Sequence, residues 1–206
     1  MIKAIGVAKY WGEKSLFRHL AFHWQAPEII SITGANGSGK TTLLAMLAGI
    51  MPADAGEIRV LGHLLKPNTP IPAHLITYIP DDYQIYPTIS GREWLAFAQS
   101  IHPMDSETQQ FLLWGFGLLA HLDCKFADMS LGTAKKFLLT ALLSSQTPIL
   151  ILDEASNGLD KTSLRVLCIQ LQKRKTNSLI VLSCHDTQFQ TQLGARAVSL
   201  NSLESA

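Results

Sequence analysis

Gly34-Ala35-Asn36-Gly37-Ser38-Gly39-Lys40-Thr41-Thr42 is the stretch on which the reading of this chain turns. It has the spacing G-x-x-x-x-G-K-[ST], from Gly34 through Gly39 to Lys40 and Thr41. Glycines at these positions let backbone N–H groups close around phosphate oxygens. The Lys40 ammonium can then reach the β- and γ-oxygens, and the Thr41 hydroxyl is placed to ligand Mg²⁺. Asn36, Gly37, Ser38 and Thr42 complete the cradle. The flanks agree with this. Ile29-Ile30-Ser31-Ile32-Thr33 is a short β-branched run suited to a buried strand. Thr42-Leu43-Leu44-Ala45-Met46-Leu47-Ala48 follows with helical spacing and meets Gly49, a C-terminal cap. The loop thus falls at a helix N-terminus, where free N–H groups and the helix dipole favour an anion. These residues read as a nucleotide-phosphate site.

Composition bounds the rest. A length of 206 residues suggests one domain, or one core with a subdomain, with room for a substantial interior. Seventeen basic residues against sixteen acidic ones give a net charge of +1, with no basic footprint for nucleic acid. Charged residues make up 16% of the chain, against roughly 25% in ordinary soluble domains. So low a charge suggests that part of the surface meets a partner. Cys124, Cys168 and Cys184 form no C-x-x-C pair and read as reduced, packed thiols of a cytosolic protein. Met1-Ile2-Lys3-Ala4-Ile5 begins no apolar leader. The longest apolar stretch, residues 111–120, falls well short of the roughly 20 residues of a membrane span. A soluble protein is expected.

Along the chain, residues 1–80 alternate short strands with the helix that follows the loop. Gly56-Glu57-Ile58-Arg59-Val60-Leu61-Gly62 is a glycine-bounded strand, and His74-Leu75-Ile76-Thr77-Tyr78-Ile79-Pro80 is another, stopped by proline. Residues 90–128 read as helical, with Trp94, Phe97, Ala98 and Ile101 at i, i+3, i+4, i+7. An apolar helix is expected from Phe137 onward, then a buried parallel strand at Pro148-Ile149-Leu150-Ile151-Leu152. A helix from Leu164 to Gln172 leads to a second such strand, Ser178-Leu179-Ile180-Val181-Leu182-Ser183. The alternation implies an α/β sheet with a helical insert in the middle.

A second chemical site lies at Asp153-Glu154, where the apolar run ends. A buried strand that delivers adjacent carboxylates to its C-terminal edge points them at the crevice where ligands sit. Neighbouring strand residues face opposite sides, so the two carboxylates should have different roles. Asp153 is suited to the Mg²⁺ shell and Glu154 to polarising an attacking water as general base.

Together these blocks resemble the ATP-binding cassette (ABC) ATPase family over nearly the whole chain. The resemblance adds Asn157-Gly158-Leu159-Asp160, similar to the D-loop, and Ser183-Cys184-His185-Asp186, similar to the switch-histidine segment. Met129-Ser130-Leu131-Gly132-Thr133-Ala134-Lys135-Lys136 stands where the family's LSGGQ signature belongs. Tyr78-Ile79-Pro80-Asp81-Asp82 resembles the Q-loop, and Lys9-Tyr10-Trp11-Gly12 the aromatic A-loop that stacks on adenine. The resemblance implies a P-loop NTPase fold with a RecA-like core, an antiparallel β subdomain and a helical insert. Residues 1–80 and 137–206 would form the core with its β subdomain, and residues 81–136 the helical part. It implies ATP and Mg²⁺ as cofactors. Two such domains, identical copies in a homodimer, would pair head to tail around two ATP molecules. Ser130 and Gly132 would bind the γ-phosphate held by the opposite subunit, His185 would contact it in cis, and Asp160 would link the two sites. A separate integral membrane permease would be driven by the pair, with a lean toward export. The chain would lie on the cytoplasmic face of the cell membrane through that permease.

Departures from the family pattern bear on the activity. Asp81 stands at the Q-loop glutamine; a carboxylate can still ligand Mg²⁺, but when ionised it cannot donate a hydrogen bond. Gln84 is a candidate substitute for it. Leu131 replaces the first signature glycine, Thr133 the glutamine, and Ala155 a proline. A cassette that binds nucleotide yet scarcely hydrolyses it is therefore the alternative, beside an ABC ATPase without transport. Other features read more simply. Trp94, Phe97, Phe111, Trp114 and Phe116 are expected in the core, some of them lining a groove for a permease helix. Lys173-Arg174-Lys175 reads as a solvated loop. His19 and His23 have i, i+4 spacing without a third ligand nearby, so no metal is expected there.

Overall fold

The computed structural model describes residues 1–67, 69–82 and 86–204. The chain opens as a long hairpin, β1 (Ile2–Trp11) and β2 (Lys14–Trp24), followed by β3 (Glu28–Thr33) and α1 (Lys40–Leu47). Next come β4 (Ala55–Val60), β5 (His63–Leu64) and β6 (Ile76–Ile79), then the helices α2 (Gly91–Ile101) and α3 (Ser106–Gly115). After α4 (Leu131–Ser144), strands and helices alternate: β7 (Ile149–Asp153), α5 (Lys161–Lys175), β8 (Leu179–Ser183), α6 (Thr187–Leu193) and β9 (Arg196–Ser199).

Two sheets result. A parallel sheet runs in the order β6-β7-β8-β3-β9, and an antiparallel sheet in the order β2-β1-β4-β5. Every residue of β7 and β8 is buried, as expected for central parallel strands covered on both faces. Their side chains divide by pleat. Leu150, Leu152, Ile180 and Leu182 pack with α2–α6, whereas Ile149, Ile151, Leu179 and Val181 pack with α1 and the antiparallel sheet. Each such side chain contributes about 1.5–3 kcal/mol by leaving water, so the sheet is the shared wall of two cores.

The expected helical stretch 90–128 is two helices and two short 3-10 turns rather than one run. Ser90 caps α2 in a full capping box with Glu93, and Asp105 caps α3 through the Thr108 N–H. The buried face of α2 is Gly91, Leu95 and Ala98. A Cβ on Gly91 would lie 2.4 Å from the Phe137 ring, so only glycine lets α2 approach α4 so closely. With Gly91 and Leu95 on the buried face, the predicted stripe holds at Ala98 and in part at Trp94 but not at Phe97, which is 52% exposed, or at Ile101, which is exposed too. Trp114 on α3 is 75% exposed. Phe97 and Trp114 were expected in the core and are surface residues, whereas Phe116 is buried and Trp94 and Phe111 are partly so.

Two further expectations are corrected. The apolar helix begins at Leu131, six residues before Phe137, because Ser130 caps it. Lys173-Arg174-Lys175 is the last turn of α5 and not a loop. The cationic run at a helix C-terminus opposes the negative end of the helix dipole, and Arg174 reaches inward to the carbonyls of Ser145 and Thr147. The three cysteines are free, with Cys184 buried. Among the described residues no helix is long and apolar enough to cross a membrane.

Candidate functional site

The P-loop sits between the end of β3 and the start of α1, as its flanks imply. Gly39 is the N-cap of α1 with φ 102° and offers no side-chain acceptor, so the first-turn N–H groups of the helix stay open to an anion. This conformation strains any L residue, and a Cβ here would meet Leu16 at 2.8 Å. The Lys40 ammonium folds back along the loop and donates to the carbonyls of Gly34 (2.9 Å) and Ala35 (3.2 Å). Those acceptors occupy the donors that a phosphate oxygen would take.

The loop forms one wall of a cleft of about 490 Å³. Asn36, Gly37, Gly39, Lys40, Thr41 and Thr42 line it from the loop, Trp11, Lys14 and Leu16 from the antiparallel sheet, and Glu154 and His185 from the ends of β7 and β8. Trp11 is 56% exposed with the Lys9 ammonium 5.8 Å from its ring centre, so one aromatic surface is available at the mouth. Tyr10, the other A-loop aromatic, is not among the lining residues, and its backbone N–H is held by Asp54.

The carboxylates come together by a different route from the one expected. Asp153 ends β7, paired with Ser183 of β8. Glu154 lies past the strand with φ 46°, in the left-handed region, so a backbone break, and not strand alternation, separates the two side chains. Side chains hold that break in place. The Glu154 N–H donates to Ser183 Oγ (3.0 Å), and the Ser183 hydroxyl donates to Asp153 Oδ1 (2.5 Å). Glu154 Oε1 lies 3.3 Å from His185 Nε2. Among the described residues neither Glu154 oxygen accepts a hydrogen bond; the same is true of Asp153 Oδ2 and of the buried Ser38 hydroxyl. Buried polar atoms without partners are rare and mark places where something else binds. Four of them around a P-loop suit a hydrated cation and a polyphosphate, so the residues present fit Mg²⁺ and a nucleotide. The field agrees in sign: burial, then the Asp153 and Asp81 charges, pushes the Tyr78 phenol up to about 12.

Other predicted residues lie outside this cleft. Ser130 caps α4, accepting the Thr133 N–H at 3.1 Å, beside Gly132 and an 83% exposed Leu131. Asp160 caps α5 through Ser163 and accepts from Lys136 at 2.7 Å. These hydrogen bonds, the one from Lys136 foremost, hold its carboxyl well below the usual range. Asp81 is not a lining residue either; its carboxylate is 3.8 Å from the Lys135 ammonium. Gln84, the candidate substitute, lies outside the described residues. Lys135 stands in the signature block but carries no role legible in the sequence, although it lies four residues before the fully buried Leu139 on one helical face.

A P-loop at the head of a parallel sheet, with two carboxylates at the end of a neighbouring strand, defines a P-loop nucleotide-binding domain. Comparison narrows the class. The family model described as "ABC transporter" matches residues 17–157. The cytochrome c biogenesis ATP-binding export protein CcmA of Vibrio vulnificus is 27% identical over 203 residues, covering 97% of this chain and 99% of that protein. The linearmycin resistance ATP-binding protein LnrL of Bacillus subtilis is 26% identical over 190 residues, covering 90% of this chain but only 61% of its own length. A dimeric ATP-binding cassette solved with ADP and Pi superposes with a TM-score of 0.84 at 20% identity, covering 97% of this chain and 94% of that one, a likeness of fold. The chain belongs to the ABC transporter family, as an ATP-binding and ATP-hydrolysing domain.

Proposed function

We propose that this chain is the ATPase subunit of an exporter, pairing with a second copy around two Mg-ATP and driving a membrane permease made by another chain. The observation that carries the pairing is a separation. The P-loop, Glu154 and His185 share one cleft, while Ser130 and Gly132 lie outside it at the start of α4. A nucleotide in the cleft would be covered on its open side by the Ser130–Gly132 loop of the other copy. Export is favoured by the relatives above, an export protein and a resistance protein by name. The exposed Phe97 and Trp114 on the helical insert offer apolar contact to a permease, which would hold the subunit at the inner membrane face. In this reading residues 81–136 form the insert, and residues 1–80 and 137–206 the core.

Bound Mg²⁺ would neutralise charge developing between the β- and γ-phosphates. Thr41 and Asp153 would hold it, with Asp81 approaching once released from Lys135. Lys40 would exchange its loop carbonyls for phosphate oxygens, and Trp11 would stack on the base. Asn36, Gly37, Ser38, Gly39 and Thr42 would cradle the phosphates through loop N–H groups and hydroxyls. Glu154, whose oxygens accept no hydrogen bond among the described residues, would take a proton from the attacking water, and His185 would steady the γ-phosphate and the glutamate together. Asp160 would lie at the seam between copies. Most of the work is positioning.

Steady-state Mg-ATP hydrolysis against protein concentration, beside Lys40→Ala and Glu154→Gln, tests this. Turnover should climb more steeply than linearly and be lost in both variants. Linear dependence would sink the pairing, and full turnover in Glu154→Gln would sink the base. ATP binding without turnover in the native chain would favour a regulatory cassette.

A further inference from the structure

We propose that Lys135 is a positioning residue for hydrolysis: its ammonium fixes the main chain of Glu154 and ties the start of α4 to the general base. The inference rests on the reading of Glu154 as that base. Lys135 is 5% exposed, and burial pulls its pKa down, countered by the charges of Asp81, Glu154 and Asp153. A lysine retained there only for charge balance would sit on a carboxylate. This one instead donates at 3.0 Å to the main-chain carbonyl of Glu154, and its nearest Asp81 oxygen is 3.8 Å away. The carbonyl belongs to the one non-glycine residue among those lining the cleft that has a left-handed backbone, φ 46°. Such a conformation persists at a non-glycine residue only where its surroundings hold it.

Three groups do so. Ser183 takes the Glu154 N–H, while the carbonyl accepts both Lys135 and the Asn157 N–H, the latter at 3.0 Å. Only Lys135 comes from the helix that begins with Ser130–Gly132. Its neighbour Lys136 grips Asp160 at 2.7 Å, so two consecutive lysines hold both ends of the 154–160 segment. A shift of the α4 N-terminus when the other copy engages it would therefore move the backbone on which the base is mounted.

The test uses the full chain with Lys135→Met, which keeps length but removes the donor, and Lys135→Arg, which restores a donor. In Lys135→Met, kcat should fall between about tenfold and a hundredfold, the loss expected when a catalytic group is misplaced by a fraction of an ångström or more. The dissociation constant for a fluorescent ATP analogue without Mg²⁺ should stay within about twofold, and Lys135→Arg should recover much of kcat. Amide hydrogen exchange at 154–157 in the nucleotide-free protein should speed up in Lys135→Met and not in Lys135→Arg. Native kcat, unchanged exchange, or equal losses of kcat and nucleotide affinity would each overturn the proposal. If Lys135→Met does not fold, Lys135→Gln decides by the same criteria. Glu154→Gln beside them separates the two readings: if it turns over normally, the base assignment fails, whereas if it is inactive and Lys135→Met is native-like, only the role of Lys135 fails.

Discussion

Asp160 shows how a single carboxylate can cap one helix and hold a lysine of another at once. It caps α5 through Ser163 and binds Lys136, and these contacts hold its carboxyl below the ordinary range. A depressed acid stabilises the folded state fully above the unfolded pKa of about 4, and that contribution drains away as pH falls below it. The side chain is 57% exposed, so solvent screens the ion pair and the cap carries most of the benefit. Asp160→Ala should therefore cost about 1 kcal/mol at pH 7, as loss of an N-cap does. Urea unfolding of the variant and the native chain at pH 7 and pH 3 should show the gap narrowing at the lower pH. A gap that stays constant would mean the charge of Asp160 contributes nothing.

At the scale of elements, the end of α5 is bolted to the turn between α4 and β7. The Arg174 guanidinium donates to Ser145 and Thr147, and burial pulls its pKa down while Asp105 supports the charge. Arg174→Met would leave two carbonyls short of a donor, at a cost of about 1–3 kcal/mol. Lys173→Met, one residue away, should change unfolding by no more than about 0.5 kcal/mol. Equal effects in urea denaturation would restore the solvated-loop reading. The run Lys173-Arg174-Lys175 gives no hint of this in the sequence, because the acceptors lie 27 and 29 residues earlier and only the fold brings them close. What could be read was local. Gly34 to Thr42, the apolar runs of β7 and β8 and the acid pair each carry their pattern within a few residues. The hairpin β1–β2 carries none, since its register shifts three times and His19 takes φ 52°. The short α6 and β9 went unread for a similar reason. Glu154 was recognised as an acid, but its left-handed backbone, and with it the role of Lys135, depends on contacts across three elements.

Within one chain the P-loop cleft is not lined by Ser130 or Gly132. The proposed head-to-tail pair would set the P-loop of each copy against the Ser130–Gly132 loop of the other, an arrangement that two-fold symmetry would close into a dimer. Lys40→Ala should remove the P-loop half and Ser130→Glu the signature half, by setting a negative charge against phosphate. Each variant alone should be inactive, while Ser130→Glu should still bind nucleotide, since Ser130 does not line its own cleft. Mixing them tests the architecture. In a mixed dimer one site combines both lesions and the other combines the intact P-loop of the Ser130→Glu copy with the intact Ser130 of the Lys40→Ala copy. Random pairing makes about half the dimers mixed, each with one good site of two, so recovery should reach about a quarter of native turnover per chain. No recovery would overturn a dimer with independently working composite sites. Full activity of Ser130→Glu alone would place the whole reaction within one chain.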